Sequence, residues 1–461
     1  MPDFSKLKAP DSLVIISMIL LLFTLLTWLI PAGEFLREEV NGRLLVVPGT
    51  YSEIGSDAQG IGDLLRAPFE GFVKASHIIA FVLLVGGAFQ MLTATGAIDA
   101  ALFKVLAKAK RSPSSKGWII ALLMSIFSLA GMTFGMSEET LVFVLITLPL
   151  ARSMGYDAIV GVAIPFVGAG MGFAGAAFNP FTVGIAQGIA ELPIFSGFEY
   201  RLFLWTAFTL IGITFVLSYA RSLDKGRIAP FYGTNSAHAT EVQEQHLDGR
   251  RKGILLLFLL SLVLVMYGAV KLDWYIPEIC ALFLSLGILS SIISRQSTES
   301  AITAFYTGAK ALLPAGLIIA LSNSVLVIAE DGHIIDTMLF ALSEQVGELP
   351  KFISIQLMFF VQGFINFFIP SGSGQAAITM PIMTPLADLL GISRQTAVLA
   401  YQLGDGLFNL VIPTSGVTMG ILAIGGIPFA TWLKWIWKLM LISILVSMLF
   451  LALPVSVFTW M

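Results

Sequence analysis

Three carboxylic acids stand inside long apolar stretches of this 461-residue chain: Glu138 and Glu139 in Gly135-Met136-Ser137-Glu138-Glu139-Thr140, and Asp405 in Gly404-Asp405-Gly406. A charge at the centre of a membrane helix costs ~2.5–3.5 kcal/mol on insertion scales, so each acid needs a reason to be there. No Lys or Arg falls within 117–151 or 352–393. A bound cation, a proton, a cationic substrate group or a polar cavity remains as the partner. Small and hydroxylated residues surround these acids, and a second such cluster occurs at Ser371-Gly372-Ser373-Gly374-Gln375. Two further segments, 168–182 and 404–416, concentrate Gly and Pro, which break helices, and each continues into polar residues: Asn179 with Thr182, and Thr414 with Ser415. Carbonyls freed at a broken helix, together with hydroxyls and amides, suit Na⁺, and helix N-termini suit a carboxylate. The expected substrate-lining residues are Ser137, Thr140, Asn179, Ser373, Gln375, Asn409, Thr414 and Ser415. Glu138, Glu139 and Asp405 are the candidates for coupling to Na⁺ or H⁺, or for holding a substrate ammonium. The plainer alternatives are helix packing through small residues and a capping or interfacial role for one of the two glutamates.

The elements that must position these groups follow from composition. The chain is 57% hydrophobic and only 12% charged, against roughly 25% charged in soluble domains, and its mean hydropathy is +0.89. A net charge of -3 without a dense basic patch excludes a nucleic-acid binder. The single cysteine, Cys280, excludes internal disulfides, and four scattered histidines offer no ligand spacing. Gly170-x-Gly172-x-x-Gly175 imitates a dinucleotide fingerprint, but no strand precedes it. No Walker loop, metalloprotease helix or serine elbow occurs, so the expectation is a carrier and not an enzyme, with no cofactor other than a coupling Na⁺ or H⁺. Apolar runs near 12–31, 76–95, 200–220, 253–270, 276–294, 310–329 and 430–452 are long enough to span lipid. The stretches 117–190 and 351–428 are apolar but interrupted. All-helical is the reading, because open strands cannot cross a bilayer. The first run is read as an uncleaved span. Gln90 and Ser322-Asn323-Ser324 put polar groups in spans and predict interhelical hydrogen bonds.

An internal repeat organises the whole. Placing 137–185 over 373–421, an offset of 236, gives 12 identities in 49 pairs, against roughly 4 expected by chance in so biased a composition. The identities fall on punctuation, including Ser137/Ser373, Pro149/Pro385, Gly155/Gly391, Gly168/Gly404, Gly170/Gly406 and Thr182/Thr418. Basic residues concentrate in 104–116 and 221–252, whereas 32–75 and 330–351 are acidic. Positive loops stay cytoplasmic, which puts the N-terminus inside. The fold class expected is an all-α membrane protein of about nine full spans plus two re-entrant hairpins, built as two inverted repeats. The first repeat occupies 1–220, with a hairpin at 117–151 and a broken helix at 158–190. A cytoplasmic loop at 221–252 and a linking span at 253–270 invert the second repeat, 276–461, with its hairpin at 353–387 and broken helix at 395–428. That architecture predicts a secondary transporter with its site at the midplane, in contact with lipid. A cation/proton exchanger or channel without an organic substrate is the alternative.

The stretches GMTFGMSEETLVFVLITLPLARSMGYDAIVGVAIPFVGAGMGFAGAAFNPFTVGIAQG and FINFFIPSGSGQAAITMPIMTPLADLLGISRQTAVLAYQLGDGLFNLVIPTSG resemble the YfcC-like branch of the anaerobic four-carbon dicarboxylate carrier-like family, within the ion-transporter superfamily. The resemblance covers nearly the whole chain. It implies inverted repeats with re-entrant hairpins, elevator-type alternating access in an inner membrane, and assembly as a homodimer. It also implies import or exchange of dicarboxylates or amino acids, relatives being described as basic amino acid antiporters. Where superfamily members carry a Ser-Asn-Thr tip, this chain has Ser137-Glu138-Glu139-Thr140 and Ser373-Gly374-Gln375. Two acids at a tip repel a dianion unless they are protonated or hold cations.

Overall fold

A computed structural model describes residues 12–40, 43–98, 100–101, 114–231, 247–272, 274, 276–347, 349–457 and 460. The basic residues Lys104, Lys108, Lys110 and Arg111, and positions 232–246 of the polar loop, lie outside the described residues. The described residues are mostly helical: α1 Ser12–Leu26, α2 Ile61–Lys74, α3 Ser76–Ala94, α4 Ser114–Phe134, α5 Thr140–Ser153, α6 Ala158–Ala174, a π-helical turn Pro180–Gly184, α7 Ile185–Ile189, α8 Phe198–Asp224, α9 Gly249–Lys271, α10 Ile276–Ser294, α11 Thr298–Asp331, α12 Ile334–Gly347, α13 Lys351–Phe368, α14 Gly372–Leu389, α15 Arg394–Phe408, α16 Gly416–Gly425 and α17 Phe429–Ser456. Short antiparallel ribbons pair β1 (Gly33–Glu34) with β4 (Ser52–Glu53), and β2 (Arg37–Val40) with β3 (Arg43–Val46). Arg37 anchors them to α12 through a 2.8 Å ion pair with Asp336.

Among the described residues, seven helices are long and apolar enough to cross a membrane: α3, residues 116–133 of α4, α8, α10, α11, α13 and α17. The protein is a multi-pass membrane protein. Leu256, Leu259, Leu260 and Val263 of α9, and Leu441, Leu445 and Leu449 of α17, stand exposed on helix faces, the position lipid tails occupy. Among the described residues, Ser322, Asn323 and Ser324 do not make the expected interhelical hydrogen bonds, although Ser324 lies against α2 at Gly71. Each bonds the carbonyl four residues back in α11 (Ile318, Ile319 and Ala320) at 2.9 to 3.0 Å. A hydroxyl or short amide within a helix finds the carbonyl one turn back nearest, so it is satisfied locally even where it is buried against other helices.

Local sequence explains where the helices start and stop. The N-caps of α6 and α15 are Asp157 and Ser393, which accept from Val160 N and Thr396 N. These two residues are 236 apart. Asn179 and Ser415, also 236 apart, cap the π-helical turn and α16, accepting from Phe181 N and Thr418 N. Such caps satisfy amides that the first helical turn leaves free. Gly155 and Gly391 precede the first pair of caps with φ of +85° and +64°, a left-handed conformation that favours glycine.

The contact between α6 and α15 is reciprocal under the same offset. A Cβ on Gly170 would meet the Leu410 side chain at 2.5 Å, and one on Gly406 would meet the Cα of Ala174 at 2.5 Å. Gly170 and Gly406 are repeat mates, as are Ala174 and Leu410. Contact of i with j and of j's mate with i's mate is what a two-fold relation between the two segments would produce.

Candidate functional site

Two loops and two helix breaks meet at one turn of α15. The loop 135–139 joins α4 to α5, and 369–371 joins α13 to α14. Helix α6 stops at Ala174 and resumes only at Pro180, while α15 stops at Phe408 and α16 begins at Gly416. Gly135, at φ +71°, has the Asn179 amide against it: a Cβ there would lie 2.6 Å from Asn179 Nδ2. Gly372 sits between the breaks. A Cβ there would lie 2.4 Å from Thr182 Cγ2 and 2.9 Å from Asp405 Oδ2. Tyr401 Oη donates to the Gly372 carbonyl at 2.6 Å. The first tip shares a cavity with Asn409, the residue that caps the end of α15, and the second tip packs against Asp405, one helical turn earlier.

A small cavity opens between the first tip, α6 and α15. Met136, Ser137, Thr140, Phe166, Ala169, Gly170, Phe173, Gly406, Asn409 and Leu410 line it. Of the expected substrate-lining residues, the structure therefore brings Ser137, Thr140 and Asn409 to one space. Thr140 Oγ1 donates to the Ser137 carbonyl, and Ser137 N donates to Glu139 Oε2 at 3.1 Å. Glu139 is buried at 8% exposure, and Glu138 is half-buried.

The remaining expected residues do not line this cavity, and all but Ser373 make hydrogen bonds within the protein. Asn179 and Ser415 are helix caps, as above, although Asn179 Nδ2 is buried without a hydrogen bond. Thr414 Oγ1 donates to the Phe367 carbonyl. Gln375 Nε2 donates to Gln362 O at 2.9 Å and Gln362 Oε1 at 2.7 Å, tying α14 to α13. Ser373 is exposed on the first turn of α14.

Asp405 is fully buried. Its Oδ1 accepts from Asn409 Nδ2 at 3.3 Å, and its backbone carbonyl accepts from Asn366 Nδ2 at 2.9 Å. Asn366 also reaches Asn409 Oδ1 at 3.2 Å. The acid's Oδ2 has no hydrogen bond, and neither do Asn366 Oδ1, Thr182 Oγ1 and Gln375 Oε1 nearby in the fold. Oxygens dominate this unsatisfied set, and oxygen is the ligand type of hard cations. Buried polar atoms are ordinarily paired, so such a concentration makes this the candidate place for a ligand.

Sequence reasoning passed over Asn366, Gln362 and Arg201. Each is a single polar residue in or at the edge of an apolar run, with no periodic signal. Arg201, at the start of the apolar run near 200–220, is fully buried in α8. Its Nε, Nη1 and Nη2 have no hydrogen-bond partner, and the Trp460 ring lies over its guanidinium at 5.3 Å.

A family profile described as C4-dicarboxylate anaerobic carrier matches residues 9–456. A curated relative in Escherichia coli, YfcC, carries the provisional description of a basic amino acid antiporter; it is 32% identical over 92% of this chain and 92% of its own length. An uncharacterised protein of Haemophilus influenzae is 29% identical over 99% of this chain and 100% of its own. Two solved structures are also similar. The YdaH transporter of Alcanivorax borkumensis aligns with TM-score 0.45 at 16% identity, covering 97% of this chain and 98% of its own. MtrF of Neisseria gonorrhoeae, from a class titled antimetabolite efflux pumps, aligns with TM-score 0.44 at 16% identity, covering 98% and 96%.

Proposed function

The chain belongs to the C4-dicarboxylate anaerobic carrier family, and from that membership we propose that it is a secondary transporter of a small carboxylate-bearing metabolite, with a basic amino acid the cargo its site suits best. One observation carries the reading: two tips and two helix breaks converge on a single turn of α15, with the carboxyl groups of Glu139 and Asp405 buried around them. The residues lining the cavity include no Lys or Arg. Glu139 and Asp405 do not line the cavity, but each adjoins a residue that does, Thr140 and Asn409, so a dianion there would sit near two acids with no cation among the lining residues, whereas an ammonium or guanidinium group would be attracted to them. Ser137, Thr140 and Asn409 offer hydroxyls and an amide to the polar end of such a cargo, and Phe166 and Phe173 offer ring faces to its stem or cationic head. The provisional description of the E. coli relative points to the same substrate class.

Coupling is assigned to Asp405, through Na⁺ or H⁺, with Glu139 on the cargo side. The two helix–loop–helix units, α4–α5 and α13–α14, act as re-entrant hairpins entering from opposite faces. With the broken helices they form the mobile unit, which moves against the remaining spans and switches access in the elevator manner. The reciprocal α6–α15 contact supports a two-fold relation between the halves, and the loop charges favour a cytoplasmic N-terminus in the inner membrane of the cell.

Proteoliposomes loaded with unlabelled arginine and presented with labelled arginine, lysine or succinate test the proposal. Exchange of the basic amino acids, reduced at least tenfold by Glu139→Gln with the protein still folded, is the expected outcome. Robust succinate uptake without amino acid exchange would replace the basic cargo by a diacid. Failure of every such solute to move under any gradient would defeat the transport reading itself.

A further inference from the structure

We propose that Arg201 forms a second binding site, separate from the cavity between α6 and α15, whose ligand is a carboxylate. The other fully or largely buried charges among the described residues all have partners: Glu139 accepts from Ser137 N, Asp157 from Val160 N, Phe231 N and Tyr219, Asp336 from Arg37 and Phe35 N, and Asp405 from Asn409. Arg201 alone is fully buried with all three side-chain nitrogens unsatisfied. A buried guanidinium without a counter-charge is the costliest arrangement an ion can have inside a protein.

Its surroundings define what it takes. The guanidinium carbon lies over the Trp460 ring, 5.3 Å from its centroid, and the N–H donors around the planar edge of the guanidinium keep no hydrogen-bond partner. A planar acceptor with two oxygens matches that edge with two parallel hydrogen bonds, which a halide cannot do. Arg201 lies between Phe198 and Trp205 on one face of α8. Phe198 packs on Phe178 at 5.4 Å, and Trp205 stands against Gly175 and donates to Ser128 Oγ at 2.9 Å. Arg201 therefore faces the break after α6. The same face of α8 meets Val167 and Met171 at Gly212, whereas Phe166, Ala169, Gly170 and Phe173 line the cavity. The two sites lie on different sides of α6. Helical side chains lean toward the N-terminus, which brings the guanidinium alongside the first turn of α8. No side chain caps that turn, so its amides can meet an anion, although Glu199 in the same turn already supplies one negative charge and the guanidinium must provide the attraction.

The test uses the purified full-length protein in detergent, unfolded thermally at constant ionic strength as chloride is replaced by acetate. Acetate is the probe because it lacks the amino group of the proposed cargo, so the outcome is independent of the transport reading. Wild type is expected to show a saturable rise in midpoint that is absent in Arg201→Met. Arg201→Lys, which keeps the charge but loses the planar fork, is expected to need about tenfold more acetate. Arg201→Met should melt in chloride at or above wild type, since it removes an unpaired buried charge. Should that variant not fold, Arg201→Lys with unchanged acetate dependence would overturn the proposal by itself. An equal rise in Arg201→Met, or no rise in wild type, overturns it. So does stabilisation confined to nanodiscs of phosphatidylglycerol, with none from acetate in phosphatidylcholine, because the ligand would then be a lipid phosphodiester.

Discussion

Asp405→Asn is expected to abolish gradient-driven accumulation in proteoliposomes while leaving one-for-one exchange of internal and external cargo measurable. The asparagine keeps the shape of the side chain and can still accept from Asn409, whose Nδ2 lies 3.3 Å from Oδ1 in the native protein. What it lacks is the charge on Oδ2, the oxygen that no neighbour satisfies. Under the proposed function, a coupling ion bound there would give its gradient a hold on the transport cycle; without it the protein would still bind and expose cargo but could not be driven. Folding should not suffer. A carboxylate at this depth costs ~2.5–3.5 kcal/mol on insertion scales, so the amide should melt at or above the wild-type temperature. Accumulation that responds to Na⁺ and pH as in wild type would remove Asp405 from the coupling role. A matched fall in exchange and accumulation would place it instead among the cargo ligands.

The main elements were legible because the repeat marks them twice. Gly155 and Gly391 are identical since both occupy left-handed backbone, and Gly170 and Gly406 since both lie where α6 and α15 approach closely. The caps Asp157/Ser393 and Asn179/Ser415 differ in identity but share one task, so the pairing survives substitution. Such features are local, and a sequence displays local features well. The site was legible only in part, because it depends on which wall each polar residue faces. Ser137, Thr140 and Asn409 reach one cavity, but nothing in their spacing separates them from Gln375, whose amide ties two helices together. Asn366 lies in a run of phenylalanines and isoleucine and reads as an isolated polar residue until α13 is laid against α15. Phe166 and Phe173 are indistinguishable from core residues by sequence, since an apolar side chain carries no mark of whether it meets protein or cavity.

The largest stability effect should come from Gly172→Ala, a change of one methyl group. An alanine Cβ there would lie 1.9 Å from the Ser128 carbonyl oxygen and 2.6 Å from Ser128 Cα, both in the backbone of α4. Backbone in a packed helix cannot step aside as a side-chain end can, so α4 and α6 must separate along their contact. Overpacking of cores costs about 1–3 kcal/mol and occasionally more, and the upper end applies where the obstacle is backbone. Within the membrane the helices have no hydrophobic drive to re-form the contact, because their association rests on close packing itself. Gly170→Ala, two residues earlier on the same helix, supplies the control: its Cβ meets the end of the Leu410 side chain, which can rotate. Thermal unfolding of the two variants in detergent should show a large fall in midpoint for Gly172→Ala and a small one for Gly170→Ala, and Leu410→Ala should relieve only the latter. Equal midpoints would mean that α4 and α6 do not pack at this distance in the folded protein. The wall that holds Phe166 and Phe173 toward the cavity would then have to be built differently, so this pair of alanines tests the frame on which the transport site stands.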